Sequence, residues 1–553
     1  SRSGDGDIEL SGVKRISRQD FLGLLLSIRY DGNLGKAILY FYNLNSKKLE
    51  KIVDPYDHKP YLLCDLPLDK IIKDYPEVIK HKGFDHIEIV KKYDPLLDKT
   101  VLMTKIVARD PLSIGGGYRS IRNILAKHSW EARIKYNHCY TYDTGLIPGM
   151  LYHVSNSKIT MVPVNVSREI IEKMSEIYGF NKELMSELVE WIKLFQAPIP
   201  DVPRISFDIE VYSPIATRIP SPSEAKYEII AISLCSSDGI RRVFLLKRKD
   251  NNYPWKNSNL DFEIHIVQDE RELIKKAVNI LRKYPLILTF NGDNFDLPYI
   301  KNRAKVLGLT EVYEEICTSR EGEEVYLRDS LHIDLYKFFN NRSMQVYAFS
   351  NKYSEGKTLD SISLALLGEG KIQHEKPISE MSPSELAYYS FKDAELTLKL
   401  TQYDDNLVLK LIILLMRISK LSINDLTRHN ISNWIRSMMY FEHRRMNYLI
   451  PNSEDIIRMK GRTVTKAIIK GKKYMGAIVI DPLPGVYFNV IVVDFASLYP
   501  SMIKRWNLSY ETVRCNHEEC RTNLVPGTTH WVCKKRRGIS SKIVGFLRDL
   551  RVY

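Results

Sequence analysis

The stretch Arg204-Ile-Ser-Phe-Asp-Ile-Glu-Val-Tyr212 constrains this chain more than any other. Its apolar, β-rich composition predicts a strand, and Asp208 and Glu210, two residues apart, then share one face of it. Two carboxylates on one strand face repel each other unless cations bind there. The fold that forms must bring compensating charge to a core strand.

The flanking pattern fits that demand. Glu228–Cys235 and Val243–Leu246 read as further strands, a helix is predicted around 270–283, and Leu286–Phe290 reads as a buried strand. This order is compatible with a ribonuclease-H-like α/β core. Upstream, Ala197-Pro-Ile-Pro-Asp-Val-Pro203 cannot continue a helix and marks a domain boundary. Before it come a hairpin signature, Leu24–Tyr30 and Ala37–Tyr42 about an Asp-Gly-Asn turn, then a mixed α+β region with a helical stretch around 168–195. Helical patterns dominate from Ser384 to about Arg445, and strands are expected again near Ala477 and 488. At 553 residues the chain exceeds one core, so several domains are expected.

Two more acid-bearing segments follow the opening strand. Asn291-Gly-Asp-Asn-Phe-Asp296 directly succeeds the buried strand, and Tyr389-Ser-Phe-Lys-Asp393 lies on a predicted helix, where the i,i+4 spacing puts hydroxyl and carboxylate on one face. Each segment singly reads as readily as a solvated face or a helix cap. Together and in this order they resemble exonuclease motifs I, II and III of the proofreading 3′–5′ exonucleases. The resemblance implies two magnesium or manganese ions, hard cations that suit carboxylate ligands. By it, Asp208 bridges both ions, Glu210 and Asp393 complete one site, Asp296 holds the other partly through water, and Tyr389 orients the attacking water. Asp293 does not occupy the motif's acidic position and reads as a turn residue.

Near the end of the chain, Phe488-Asn-Val-Ile-Val-Val493 is apolar and β-branched and predicts a buried strand, with Asp494 at its tip and a Pro-containing helix start behind it. Asp494 could simply cap that helix. Yet Asp494-Phe-Ala-Ser-Leu-Tyr-Pro-Ser501 resembles motif A of the family-B DNA polymerases. The resemblance, to the archaeal replicative branch, extends over nearly the whole chain through His58-Lys-Pro-Tyr-Leu62, Thr144-Gly-Leu-Ile-Pro148 and Tyr474-Met-Gly-Ala477. It implies that Asp494 and the Phe495 carbonyl hold two catalytic ions, and that Tyr499, beside Ser497 and Leu498, lies under the incoming sugar and selects deoxynucleotides. Tyr474 and Gly476 would meet template phosphates, with Lys470, Lys472 and Lys473 flanking. Tyr30, Pro60 and Tyr61 fall where a template-uracil pocket is expected, or are hairpin core residues.

The implied fold is α/β multidomain. Residues 1–200 form an α+β N-terminal domain, 201–405 a ribonuclease-H-like 3′–5′ exonuclease domain, 406–470 a helical segment packing back on the N-terminal domain, and 471–553 the first part of a polymerase palm. The Lys-rich fingers helix and the Tyr-x-Asp-Thr-Asp hairpin of the family do not occur after Asp494. The chain therefore reads as a fragment or as one part of a split enzyme that needs a C-terminal polymerase part. The implied partners are primer–template DNA, deoxynucleoside triphosphates, a sliding clamp and accessory replication subunits. A stand-alone repair exonuclease with a vestigial polymerase region is the competing reading, and a non-catalytic DNA-binding scaffold a third.

Composition agrees. A net charge of +14, from 81 Lys+Arg against 67 Asp+Glu, suits a polyanionic partner. No apolar run reaches membrane-span length, and the N-terminus has no apolar signal core and reads as trimmed. Seven Cys form no disulfide framework, so a reducing, cytoplasmic and nucleoid-associated setting is expected. Cys515, Cys520 and Cys533 with His517 and His530 admit a zinc reading, although five candidates exceed the four of a structural site. Plain loop cysteines or, by family resemblance, a Cys520–Cys533 disulfide are the alternatives.

Overall fold

The structure, a computed structural model, describes residues 20–155, 158–214, 219–248, 260–373, 376–461, 468–469, 472–473, 480–526 and 528–553. The chain divides into two compact units. The first comprises the described residues of Ser1–His58, Thr144–Asn165 and Lys193–Met438, and the second those of Lys59–Asp143, Val166–Ile192 and Met439–Tyr553.

The first unit holds two main sheets. One is five-stranded and antiparallel, in the order Lys48–Val53, Lys36–Asn43, Phe21–Asp31, Leu151–Ser155, Lys158–Met161, and contains the expected hairpin. The other carries the acids. Its strands are β1 (Arg204–Val211), β2 (Ile229–Ser236), β3 (Arg241–Leu246), β4 (Glu263–Val267), β5 (Leu286–Thr289) and β6 (Leu331–Asp334), in the order β4-β3-β2-β1-β5-β6. The pairs β1–β2 and β2–β3 are antiparallel, while β1–β5, β5–β6 and β3–β4 are parallel. This is the ribonuclease-H-like arrangement, a central strand flanked by antiparallel partners on one side and parallel ones on the other.

Strand alternation fixes which face is which. Ile205, Phe207, Ile209 and Val211 of β1 join the apolar cluster that includes Leu273 and Ile274 of α1 (Glu270–Leu281) and Leu297 and Ile300 of α2 (Asp296–Val306). Each such burial contributes roughly 1.5–3 kcal/mol before entropy is counted. The intervening residues Ser206, Asp208 and Glu210 face the other way, toward the long helix α4 (Pro383–Ser419), which follows α3 (Leu359–Leu367). Ser206 donates to the Ala394 carbonyl at 2.5 Å, and Ser233, the register partner of Asp208, lies 2.5 Å from Ser390. Helix α4 starts on a capping box, with Ser382 accepting from Glu385 N–H, Glu385 accepting from Ser382 N–H, and Pro383 in the first turn. It kinks where Tyr403–Asn406 leave helical geometry. The apolar stretch beyond the kink buries Val408, Leu409, Ile412 and Ile413, as its pattern predicts. Helix α5 (Ile423–Arg428) completes this unit's core.

The second unit contains a four-stranded antiparallel sheet in the order Phe84–Asp94, Lys99–Ala108, Tyr61–Cys64, Ser129–Trp130. It also contains helices α6 (Leu498–Arg505) and α7 (Ile539–Val552), joined by Lys504 and Asp549 at 2.5 Å. One expectation fails here. Residues 486–495 form neither helix nor strand, and the apolar side chains of Phe488, Ile491, Val492 and Val493 are 85–88% exposed instead of buried. A β-branched run has strand propensity, but a strand also needs a ladder partner and a covering layer. Among the described residues no segment pairs with it.

Candidate active site

Three of the sequence-predicted acids meet. Carboxylate oxygens of Asp208, Glu210 and Asp393 all lie within 4.8 Å of one another. The alternation of β1 presents the first two toward α4, and α4 supplies the third from its buried face. The fourth acid, Asp296, opens α2, and its Oδ1 accepts from the Ile209 backbone N–H at 3.2 Å, beside Asp208. Tyr389 stands one turn before Asp393, close enough for the acids to act on its hydroxyl.

The electrostatics follow from this crowding. Burial, then Asp393 and Glu210, push Asp208 well above the usual carboxylate range. Burial and Asp393 push Glu210 up to about 8, and burial raises Asp296 to about 7 against its bond from Ile209. The Tyr389 hydroxyl is raised by burial and by Glu210, so it stays protonated at neutral pH. Three clustered acids with Asp296 adjoining form a hard-oxygen donor set that fits magnesium or manganese.

Sequence reasoning missed two participants. Lys371 places its ammonium 2.6 Å from Asp393, where burial lowers its proton affinity but the acids more than restore it. It lies in a polar stretch after α3 and carries no local signal. Asp334, at the end of β6, accepts from the N–H groups of Asn291 at 2.7 Å and Asp293 at 3.2 Å, and so shapes the turn that launches α2 and Asp296. That turn is tight: a Cβ on Gly292 would sit 2.2 Å from Thr289 Oγ1, and Asn291 adopts φ 73°. Asp293 is more than a turn residue. It is buried, bound by Arg428 and Lys337, each at 2.8 Å, and accepts from Val325 N–H. Burial would raise it, yet His332 and Arg428 hold it far below the usual range. It is thus committed to structure.

The remaining predicted positions are not members of this cluster among the described residues. Asp494, Phe495 and Tyr499 are exposed, and Leu498 begins α6 behind Ser497, which adopts φ 53°. Among the described residues Asp494 belongs to no close group of acids, cysteines or histidines. Tyr474, Gly476 and Lys470 lie outside the described residues, as do the side chains of Lys472 and Lys473. Tyr30 is on the Phe21–Asp31 strand of the first unit, and Pro60 and Tyr61 are in the second, where Tyr61 donates to Asp143 at 2.9 Å.

Comparison with known proteins now adds to this geometry. Residues 127–353 match the model of the DNA polymerase family B exonuclease domain, and residues 423–543 match that of DNA polymerase family B. The chain is 44% identical over 559 residues to DNA polymerase 1 of Aeropyrum pernix, covering 100% of this chain and 57% of that protein. It is 43% identical to DNA polymerase 1 of Sulfolobus acidocaldarius, over 96% of this chain and 60% of the relative. DNA polymerase 1 of Saccharolobus solfataricus is 42% identical, over 97% and 60% respectively. The chain thus spans 57–60% of the length of these relatives. The structure of the family B DNA polymerase from the hyperthermophilic archaeon Pyrobaculum calidifontis superposes with a TM-score of 0.67 at 20% identity, covering 96% of this chain and 63% of that one.

Proposed function

This chain belongs to DNA polymerase family B, and from that premise we propose that it carries the 3′–5′ proofreading exonuclease site and the motif A part of the nucleotidyl-transfer site of a DNA-directed DNA polymerase that acts in replication. The observation that carries the nuclease reading is the convergence of Asp208, Glu210 and Asp393 within 4.8 Å, with Asp296 adjoining. These four would hold two magnesium or manganese ions, and such ions supply an activated water and charge stabilisation at the leaving oxygen. Asp208 and Glu210 come from β1, Asp393 from α4 and Asp296 from the start of α2. Tyr389, protonated at neutral pH, positions the water by its hydroxyl and acts on turnover instead of ion affinity. Lys371, 2.6 Å from Asp393, balances part of the negative charge.

For nucleotidyl transfer, Asp494 and the Phe495 carbonyl are the ion ligands this chain offers. Tyr499, Ser497 and Leu498 form the floor for the nucleotide, and Tyr474 and Gly476 the contact to template phosphates. The second carboxylate group of that site belongs to a C-terminal polymerase part. The working division is an N-terminal α+β domain to residue 200, the exonuclease domain over 201–405, a helical segment over 406–470 and the palm portion from 471. Primer–template DNA and deoxynucleoside triphosphates are the substrates, a sliding clamp and accessory subunits the partners, and the nucleoid-bearing cytoplasm the setting. No helix among the described residues is long and apolar enough to cross a membrane. Tyr30, Pro60 and Tyr61 remain the candidates for reading template uracil.

A magnesium-dependent digestion of a 5′-labelled single strand tests the nuclease. Asp208→Ala should lower the rate by about three orders of magnitude, equivalent to about 4 kcal/mol of transition-state stabilisation. Tyr389→Phe should slow turnover with the metal dependence unchanged. Undiminished hydrolysis in Asp208→Ala refutes the site assignment. A stand-alone repair exonuclease draws support from one contrast, buried or half-buried and assembled nuclease acids against an exposed Asp494. Primer extension once a C-terminal part is supplied excludes it.

A further inference from the structure

In the second unit, the segment between α6 and α7 gathers soft donors that none of the roles described above uses. Cys515, His517, Cys520 and Cys533 each offer one ligand atom, and these four atoms lie within 4.8 Å of one another. The three thiols are 0–3% exposed, and Trp531 packs against them. All three are free thiols. The fifth candidate from the sequence, His530, is engaged elsewhere, since its Nδ1 accepts from Arg514 Nε at 3.0 Å.

We propose that Cys515, His517, Cys520 and Cys533 form a structural zinc site of Cys3His type. Tetrahedral zinc, with about 2.3 Å to sulfur and 2.0–2.1 Å to nitrogen, implies a sulfur–nitrogen edge of about 3.6 Å. Cys533 Sγ lies 3.4 Å from His517 Nδ1, already at that edge. His517 is also held as a zinc-ligating histidine is held. Its Nε2 bonds Asp98 Oδ2 at 2.6 Å, which leaves Nδ1 to face the thiols. Asp98 is fixed in turn by Arg536 at 3.1 Å. Backbone geometry frames the donors: Lys534 N–H donates to Cys520 Sγ at 3.3 Å, Trp531 Nε1 donates to the Cys515 carbonyl at 2.9 Å, and Cys533 N–H donates to Thr512 O at 2.9 Å. Binding releases the thiol protons, so retention strengthens as pH rises. A Cys520–Cys533 disulfide would use two of these groups and leave Cys515 and His517 converging on nothing. The zinc staples the 515–533 loop to the turn that carries Asp98 and so braces the segment between α6 and α7.

The test uses the full chain, prepared under reductant, loaded with zinc and desalted. Elemental analysis should give one zinc per chain. Cobalt(II) in its place should give a thiolate charge-transfer band and the intense visible bands of a tetrahedral ion. The oxygen-ligated ions of the nuclease acids cannot produce that band, so the result is independent of the exonuclease reading. Cys520→Ser and His517→Ala should lose the band. Asp98→Asn should keep the stoichiometry but loosen zinc by about 10–100-fold. Should the Cys variant fail to fold, His517→Ala and chelator-stripped wild type, checked by circular dichroism, carry the comparison. A reduced, folded chain that takes up no zinc overturns the proposal. So does a cobalt spectrum without the thiolate band, or thiol titration that finds Cys520 and Cys533 disulfide-bonded with no zinc uptake after reduction.

Discussion

Beside Asp393, the Lys371 ammonium sets one positive charge against the acids Asp208, Glu210, Asp296 and Asp393. The imbalance appears in the proton affinities: Glu210 rises from 4.5 to about 8 and Asp296 from 3.8 to about 7, burial being the leading cause in both. Both values are raised, so the metal-free folded state keeps protons that the unfolded chain has released. Their contribution to stability is complete below the ordinary carboxylate values and is lost as pH climbs through about 7 and 8. The melting temperature of the metal-free protein should therefore fall between about pH 5 and pH 8. Glu210→Gln should flatten that slope, and magnesium should restore more stability at the upper end of the range than at the lower, because the ion replaces the proton. An unchanged slope in Glu210→Gln would sink the assignment. The same residues show what a sequence conceals. Strand and helix periods put Asp208 beside Glu210 and Tyr389 beside Asp393 on shared faces, whereas joining these pairs and Asp296 into one set rested on the family resemblance. Lys371 and Asp334 were not readable, since their roles depend on which loop folds against which strand.

Among the elements, α4 organises the first unit, and one side chain anchors it there. Arg417 is fully buried, has no acid partner among the described residues, and donates to the carbonyls of Gly149, Leu194, Ala197 and Pro198 at 2.7–3.1 Å. Burial lowers its proton affinity to about 10. Gly149 lets the chain approach closely, since a Cβ there would lie 2.8 Å from the Ile413 carbonyl and its φ is +89°. Arg417→Met strands carbonyl acceptors that water cannot reach and should cost about 3 kcal/mol. It should appear as a lower denaturant midpoint for the first unit, with Arg417→Lys intermediate. A midpoint that does not move in the Met variant contradicts this account. Most elements were legible beforehand: the hairpin at 24–42, the strands at 204, 229, 243 and 286 and the helix through 389–393 all follow from local pattern. The run Phe488–Val493 shows the limit. Its composition specifies a strand, but pairing is a property of a neighbour, and sequence period cannot report whether one is present.

Across the whole molecule, two donor clusters of different chemistry fall in separate units: carboxylates in the first, thiols and an imidazole in the second. The positive charge excess of the chain suits a phosphate-rich partner. That excess does not reach the exposed run ahead of α6. Phe488-Asn-Val-Ile-Val-Val493 has no charge, no proline and no glycine. Exposed, uncharged β-branched segments of this kind stack on copies of themselves as strands, and natural proteins guard against it with edge charges. Purified alone, the chain should therefore self-associate with rising concentration, in sedimentation velocity, through this run. Val492→Lys should push the onset to higher concentration, whereas an equal onset in both proteins would clear the segment of blame. The residues leading to Asp494 are, in that sense, an aggregation hotspot when left uncovered.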